Sequence, residues 1–112
     1  MIGIRAASWV LLVLSCAPAL GEPRQVLTTI KEIRTGWNAE QFAVVTRELP
    51  MSNPANCPTP DGYISESSQP GYQTYYAAAI TAFVERAQVV VVIAEQGCIA
   101  GRPKLIGINV RR

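Results

Sequence analysis

Residues 72–94 of this chain read YQTYYAAAITAFVERAQVVVVIA, and this stretch combines two different hydrophobic periods. In its first part the larger apolar side chains recur every three or four residues, and alanines, which favour helix, lie between them. From residue 89 onward five β-branched residues follow in a row, as in a strand that is buried on both faces. The stretch therefore predicts a helix over residues 72–86 and a strand over residues 88–94.

The predicted helix has two faces of different character. We expect the larger side chains to form one stripe that packs against the core, namely Tyr72, Tyr76, Ala79, Ile80 and Phe83. A neighbouring small-residue face would let a second backbone approach closely, which makes it a candidate oligomer contact. This face comprises Ala77, Ala78, Thr81 and Ala82. An ordinary solvent-exposed helix surface is the alternative interpretation of these four residues.

Three strands are predicted before the helix and one more at the end of the chain. Residues 25–34 and 41–49 partly alternate apolar and polar side chains, and the turn residues TGWNAE between them indicate a hairpin. Residues 50–60, PMSNPANCPTP, contain four prolines and are therefore a loop, after which residues 63–66 form a short strand. Residues 96–101 are predicted to connect to a last strand at 103–110. In that strand Leu105 and Gly107 would lie on one face, and Ile106, Ile108 and Val110 on the other.

These elements follow in the order strand, strand, strand, helix, strand, strand. We predict a mainly β protein with one helix (α+β), built as a five-stranded OB-fold-like barrel with one disulfide. Closing the sheet into a barrel removes the exposed edge that would otherwise lie beside the very apolar strand at residues 88–94. The alternative is an open antiparallel sheet with the helix laid across it.

The first 21 residues have the layout of a secretory signal peptide. A short start with Arg5 precedes an apolar run at residues 6–14, and small residues mark cleavage after Ala19 or Gly21. We therefore expect residues 22–112 to form a single domain, in a secreted or periplasmic protein. Cys16 leaves a second interpretation open, because lipoprotein-type cleavage before Cys16 would attach the protein to a membrane through a lipid.

The predicted domain contains two cysteines, Cys57 and Cys98, which in a short exported chain most simply form one disulfide. The bridge would close a loop of about 41 residues, which is worth about 4 kcal/mol in the chain-entropy description. Two free thiols in a reducing compartment are the alternative. Cys98 lies in the segment EQGCIAGRP, whose Arg102 receives no role from the sequence.

The composition excludes several classes of function. The chain has no histidine, which is the commonest general base and metal ligand. The two cysteines of the predicted domain do not by themselves make a zinc site. We therefore predict no catalytic residue, no metal and no cofactor, and a protein that is not an enzyme. Asp61 and Glu66 are the one carboxylate pair considered, and we expect both to be solvated instead. A formal net charge of +2 without a basic run argues against a nucleic-acid partner.

Three segments resemble a group of small exported bacterial proteins: NCPTPDGY at residues 56–63, VVVVIAEQGC at 89–98 and GRPKLIGINV at 101–110. In fold this group is similar to the B subunits of AB-type bacterial toxins of the subtilase-cytotoxin and pertussis-like kind. Those subunits are OB-folds that assemble into rings and bind cell-surface glycans. The resemblance covers roughly residues 34–110 and implies an OB-fold and a homo-oligomer, but it assigns no sugar-contacting residue.

We expect an exported, non-enzymatic binding module that recognises a glycan or a protein surface. Trp37 and Asn38 lie in the predicted first hairpin loop, where OB-folds often bind ligands. They are candidate ligand-binding residues, because an indole ring stacks on a sugar and an amide bonds to its hydroxyls; Trp37 packed over the barrel end is the alternative. The alternative function is a periplasmic or lipid-anchored structural protein of the cell envelope, with membrane contact only if Cys16 is lipidated.

Overall fold

The computed structural model describes Gly3, residues 22–36 and residues 38–112. The elements are β1 (Arg24–Thr35), β2 (Gln41–Thr46), β3 (Tyr63–Glu66), α1 (Tyr72–Glu85), β4 (Gln88–Ile99) and β5 (Arg102–Arg111). This order confirms the predicted succession of three strands, one helix and two strands. Cys16 and Trp37 lie outside the described residues, so lipidation at Cys16 stays a prediction.

The five strands close into a ring in the order β1-β2-β3-β5-β4, with β4 pairing back onto β1. Neighbours are antiparallel except β3 and β5, which run parallel. The first half of β1 pairs with β4 and its second half with β2. The ring is not a regular barrel, because β3 and β5 meet at the single register pair Ile64 and Lys104. The predicted OB-fold-like closure is confirmed, and the open-sheet alternative is wrong.

The core lies inside the ring and contains alternate residues of the strands. Because successive side chains of a strand point to opposite faces, β2 and β4 each contribute every second residue. The buried interior residues of the strands are Ile30, Phe42, Val44, Tyr63, Val89, Val91, Ile93 and Leu105. Helix α1 packs against β1 and β5 and adds Ala79 and Ala82 to this core.

The helix packs through only part of the predicted stripe. Ala79 is buried, and the rings of Tyr72 and Tyr76 pack against the core residue Phe42 with centroids 5.6 and 5.1 Å away, but Ile80 and Phe83 are 37% and 42% exposed. Ala82, predicted on the small-residue face, is 1% exposed and belongs to the core. The reason is steric, because the small side chains of Ala79 and Ala82 let the helix backbone lie close to the strands.

Three members of the small-residue face remain accessible in the structure. Ala77 and Thr81 are exposed, and Ala78 is half-buried. Thr81 also donates a hydrogen bond from its hydroxyl to the carbonyl oxygen of Ala77, 2.9 Å away on the preceding turn. Contact of these three residues with a second copy of the chain stays a prediction.

Strand β4 is longer than the sequence predicts and continues through the expected connection to Ile99. The actual turn to β5 consists of Ala100 and Gly101, with φ of 50° and 77°. Two positive φ values in succession are what a tight two-residue hairpin turn of type I′ requires. Gly97 is therefore not a turn residue; it lies within β4 at a φ of 90°.

Two irregularities in the pairing of β4 with β5 change which side chains face inward. Ile93 pairs with Leu105 and Cys98 pairs with Pro103, so the four residues 94–97 of β4 lie opposite the single residue Lys104 of β5. At a second register shift the consecutive residues Val92 and Ile93 pair with Gly107 and Leu105, so Ile106 is an extra residue on β5. Leu105 and Ile108 consequently both pack against the core, and the predicted strict alternation along β5 is wrong.

The proline-rich loop is attached to the β4–β5 hairpin by the predicted disulfide between Cys57 and Cys98, whose Cα atoms are 5.8 Å apart. Beside the bridge the backbone N–H of Thr59 donates to the carbonyl oxygen of Gly101 over 2.8 Å. Within the loop the Asn53 amide accepts from the backbone N–H of Cys57 and donates to its carbonyl oxygen. The disulfide and these hydrogen bonds thus hold the loop in place, although its sequence forms neither a helix nor a strand.

Replacing both bridged cysteines, in Cys57→Ser/Cys98→Ser, should lower the free energy of unfolding by about 4 kcal/mol. The reason is the sequence separation of 41 residues, whose closure the bridge imposes on the unfolded chain. Urea denaturation of the oxidised protein and of the double variant measures the difference. The reduced wild-type protein should behave like the variant, and a loss below about 1 kcal/mol would contradict this account.

A carboxylate ties the first three strands together at one end of the ring. Glu48 accepts hydrogen bonds from the hydroxyls of Thr28 on β1, Thr46 on β2 and Tyr63 on β3, at 2.6, 2.7 and 2.6 Å. This inward turn of Glu48 ends β2 at Thr46, earlier than predicted. Burial raises the pKa of the Tyr63 hydroxyl and its bond to Glu48 raises it further, so the phenol remains a donor.

The substitution Glu48→Gln should lower the free energy of unfolding by about 2 kcal/mol, because bonds to a charged acceptor contribute about 1.5–3 kcal/mol each and the hydroxyls retain partial pairing. Thermal or urea unfolding at neutral pH provides the measurement. Glu85→Gln, at an exposed helix position, is the matched control and should change stability by less than about 0.5 kcal/mol. Equal effects of the two substitutions would show that the Glu48 bonds are dispensable.

Candidate binding cleft

A cleft of about 280 Å³ opens where the β1–β2 hairpin approaches the start of β5. Ala43 on β2 and Ile64 on β3 contribute apolar side chains to its lining. Its polar groups come from the first hairpin and from the last strand: Arg34 and Gln41 flank the β1–β2 loop, and Arg102 begins β5. A position above strands 2 and 3, between the first and the last loop, is the usual binding face of an OB-fold.

The alternation of the strands explains why the cleft has an apolar floor. Phe42 and Val44 belong to the interior core, so Ala43 between them points to the opposite face of β2. Ala43 is paired with Ile64 on β3, and both pack with Ile99 in a second, smaller cluster. The disulfide-bound end of β4 thus covers one side of this outer cluster, and the remaining side forms the cleft floor.

One carboxylate holds the two arginines of the cleft. Asp61 accepts from Nε and Nη2 of Arg102 at 2.6 and 3.3 Å, and Nη1 of Arg34 lies 3.4 Å from its second oxygen. Arg102 also donates from Nη1 to the carbonyl oxygen of Ala100 at 2.9 Å. Arg34 in turn donates from Nε to Glu32 at 3.2 Å. The structure therefore gives Arg102 a role: its guanidinium binds both oxygens of the Asp61 carboxylate.

These four charges, which we call the arginine–carboxylate array, balance each other. The hydrogen bond from Arg102 is the main reason that the pKa of Asp61 is lowered; partial burial opposes it, and the charges of Arg102 and Arg34 add to the lowering. Asp61 is therefore ionised at neutral pH. Arg102 uses three of the five N–H groups of a guanidinium, so donors remain beside fixed acceptors. Such an array can bond to neutral hydroxyl or amide groups without carrying a net charge.

A double-mutant cycle of Asp61→Ala and Arg102→Ala should give a coupling free energy of about 0.5–1 kcal/mol at neutral pH, since both side chains are partly exposed. Because the folded state lowers the pKa of Asp61, this contribution is complete above the usual aspartate pKa of about 3.9 and is lost as the pH falls through the folded-state value. Urea unfolding at neutral and acidic pH provides the measurement. A coupling that persists in strong acid would contradict the assignment.

The structure places the sequence-predicted site residues only in part. Asn38 is exposed in the β1–β2 loop and is not among the described residues that line the cleft. Gly36, two positions earlier, does line it, so the predicted loop lies at the cleft. Trp37 lies outside the described residues, and its role as a stacking platform stays a prediction. Asp61, expected to be simply solvated, is ion-paired. The Glu66 carboxylate, in contrast, accepts a hydrogen bond from the Ser68 hydroxyl and is paired with no arginine in the described chain.

Sequence reasoning missed Arg34 and Gln41, and left Arg102 without a role. A signal for the Asp61–Arg102 pair is present nevertheless, since each residue lies four positions after a cysteine of the predicted bridge. Opposite charges at equal distances from two bridged cysteines are brought near one another by the bridge. No comparable local signal exists for Gln41, whose place at the cleft follows from its outward position on β2.

Within the described part of the chain, no cluster of three or more histidine, cysteine, aspartate or glutamate side chains could hold a metal ion. The described residues also contain no helix that is long and apolar enough to cross a membrane. Among the described residues, the polar side chains that line the cleft are those of Arg34, Thr35, Gln41 and Arg102. Comparisons with protein-family models, with curated proteins and with solved structures found no match to this chain.

Proposed function

We propose that this protein is a non-enzymatic binding module that recognises a glycan through the cleft between Arg34 and Arg102. The observation that carries the proposal is the combination of an apolar floor and a charge-balanced array on the face that OB-folds commonly use for oligosaccharides. The resemblance of the sequence to toxin B-subunit-like proteins agrees with this proposal but supplies no residue for it.

The chemistry of a sugar ring suits the two parts of the cleft. A pyranose has a face of C–H groups and a rim of hydroxyls that both donate and accept hydrogen bonds. Ala43 and Ile64 offer an apolar surface for the C–H face, and Gln41 and Arg102 offer planar polar groups for the rim. The volume of about 280 Å³ lies near the lower limit of small-molecule sites and suits a short saccharide.

We propose further that the protein acts outside the cytoplasm, in the secreted or periplasmic space. The disulfide between Cys57 and Cys98 supports this location, because such bridges persist in oxidising compartments. Assembly into a homo-oligomer would raise the avidity of a weak cleft by presenting several copies to one surface. Lipid attachment at Cys16, with a structural role in the envelope, is the alternative function.

Gln41→Ala and Arg34→Ala should each weaken glycan binding by about tenfold, which corresponds to the loss of one or two hydrogen bonds in the cleft. A glycan array with the oxidised protein identifies the ligand, and titration calorimetry with the best saccharide gives the affinities. Trp37→Ala on the same array tests the predicted stacking platform.

Arg24→Ala is the matched control, because Arg24 also lies on β1 but pairs with Glu95 and does not line the cleft. It should leave the affinity unchanged. Equal losses in Arg24→Ala and Arg34→Ala would place the binding elsewhere. An array without any bound saccharide, together with capture of a protein ligand that depends on Gln41, would replace the glycan by a protein surface.

A further inference from the structure

Helix α1 exposes a row of large apolar side chains to solvent. Tyr76, Ile80, Phe83 and Val84 are 37%, 37%, 42% and 71% exposed. Their spacing of four, three and one residues places them on one face of the helix, and we call this face the α1 ridge. The ring of Tyr76 packs edge-on against the core residue Phe42, with centroids 5.1 Å apart, so Ile80, Phe83 and Val84 make up the more exposed part of the ridge. Single exposed apolar side chains are ordinary on a soluble protein, whereas adjacent ones are typical of an interaction surface.

The end of the α1 ridge borders a groove that is lined by cations. Lys31 on β1, Arg47 after β2 and Arg86 at the C-terminal end of α1 line this groove together with Phe83 and Val84. No carboxylate is among its described lining residues. We call the three cations and the α1 ridge together the basic-apolar surface.

The cations of the groove lack partners that would neutralise them. Lys31, Arg47 and Arg86 form no ion pair within the described part of the chain, in contrast to Arg34 and Arg102. Two acids next to them in sequence are occupied elsewhere: Glu32 is paired with Arg34, and Glu48 accepts from three hydroxyls. Glu85 is exposed on α1 but does not line the groove. The groove therefore keeps a positive charge that a partner can match.

We propose that the basic-apolar surface docks onto a bilayer that contains anionic lipids. The apolar side chains of α1 would enter the boundary between headgroups and acyl chains, and the three cations would contact lipid phosphates. Tyr76 suits such a boundary, because its ring is apolar and its hydroxyl is polar.

Charge favours a bilayer over a second copy of the chain. A symmetric dimer through this surface would bring the three cations of each copy into one interface, where Glu85 is the one described acid next to them in sequence that has no other partner. An anionic bilayer presents many phosphate groups to the three cations, and binding to it does not require a partner of complementary shape. The proposal is independent of the glycan proposal, since the basic-apolar surface and the cleft share no residue.

Vesicle flotation with the full, oxidised chain tests the proposal. The probes are vesicles of phosphatidylcholine alone and of phosphatidylcholine mixed with phosphatidylglycerol, at low and high salt. Binding to the neutral vesicles measures the purely apolar contribution, to which the apolar run at residues 6–14 adds the same amount in every variant. Phosphatidylglycerol should strengthen binding, and high salt should remove that gain, because salt screens exposed charges.

Two variants separate the charged and the apolar parts of the surface. Lys31→Glu/Arg86→Glu should weaken binding to the anionic vesicles by at least about tenfold, since each cation near such a surface contributes about 1 kcal/mol. Phe83→Ser/Val84→Ser should weaken binding to the same vesicles by about tenfold through lost apolar insertion. Arg24→Glu/Lys104→Glu makes the same charge change away from the groove and should retain binding.

Several results would overturn the proposal. Equal losses in the two charge-reversal variants would reveal a general effect of net charge. Unchanged binding of Phe83→Ser/Val84→Ser would remove the role of the α1 ridge and favour an acidic protein partner at the cations. An oligomer that dissociates in Phe83→Ser/Val84→Ser would assign the ridge to contacts between copies. Lys31→Gln/Arg86→Gln, a milder change, should reproduce the loss if a charge-reversal variant unfolds.

Discussion

The disulfide between Cys57 and Cys98 is the constraint on which the cleft depends. It holds a loop with four prolines against the last hairpin, where neither helix nor strand pairing could hold it. Since Asp61 and Arg102 each lie four residues after a bridged cysteine, the bridge also brings them together, and the backbone bond from Thr59 to Gly101 supports the same approach. A single covalent link thereby positions the arginine–carboxylate array, whose ion pairs alone would be too weak to order the loop.

The same residue types have opposite electrostatic consequences on the two surfaces. At the cleft, Arg34 and Arg102 share the carboxylate of Asp61, so their charge is balanced while some N–H groups remain available. At the groove beside α1, Arg47 and Arg86 have no such partner in the described chain. A balanced array suits a neutral polar ligand, whereas uncompensated cations next to apolar side chains suit an anionic, partly apolar one. The pairing of the arginines, rather than their number, distinguishes the two surfaces.

The orientation of α1 was decided by side-chain size rather than by hydrophobicity. Bulky apolar residues at helical spacing predicted a core-facing stripe through Ile80 and Phe83, yet the helix turns Ala79 and Ala82 to the ring. A closed ring of strands already fills its interior with Phe42, Tyr63 and other large side chains, so a helix that covers it gains more by approaching closely than by adding volume. Ile80, Phe83 and Val84 are left on the outside, which creates most of the α1 ridge.

The sequence by itself determined the element order, the barrel class and the cysteine pair, because hydrophobic period, proline content and cysteine count are local or compositional properties. The short third strand and the presence of the first hairpin also followed from turn residues. Only the tertiary structure decided which face of α1 is buried, where β4 ends, and that Arg102 clamps Asp61. These features depend on how volumes and registers of separate elements fit together, as with Asp61 and Arg102, which are 41 residues apart, and no local pattern records how side chains from different elements share one space.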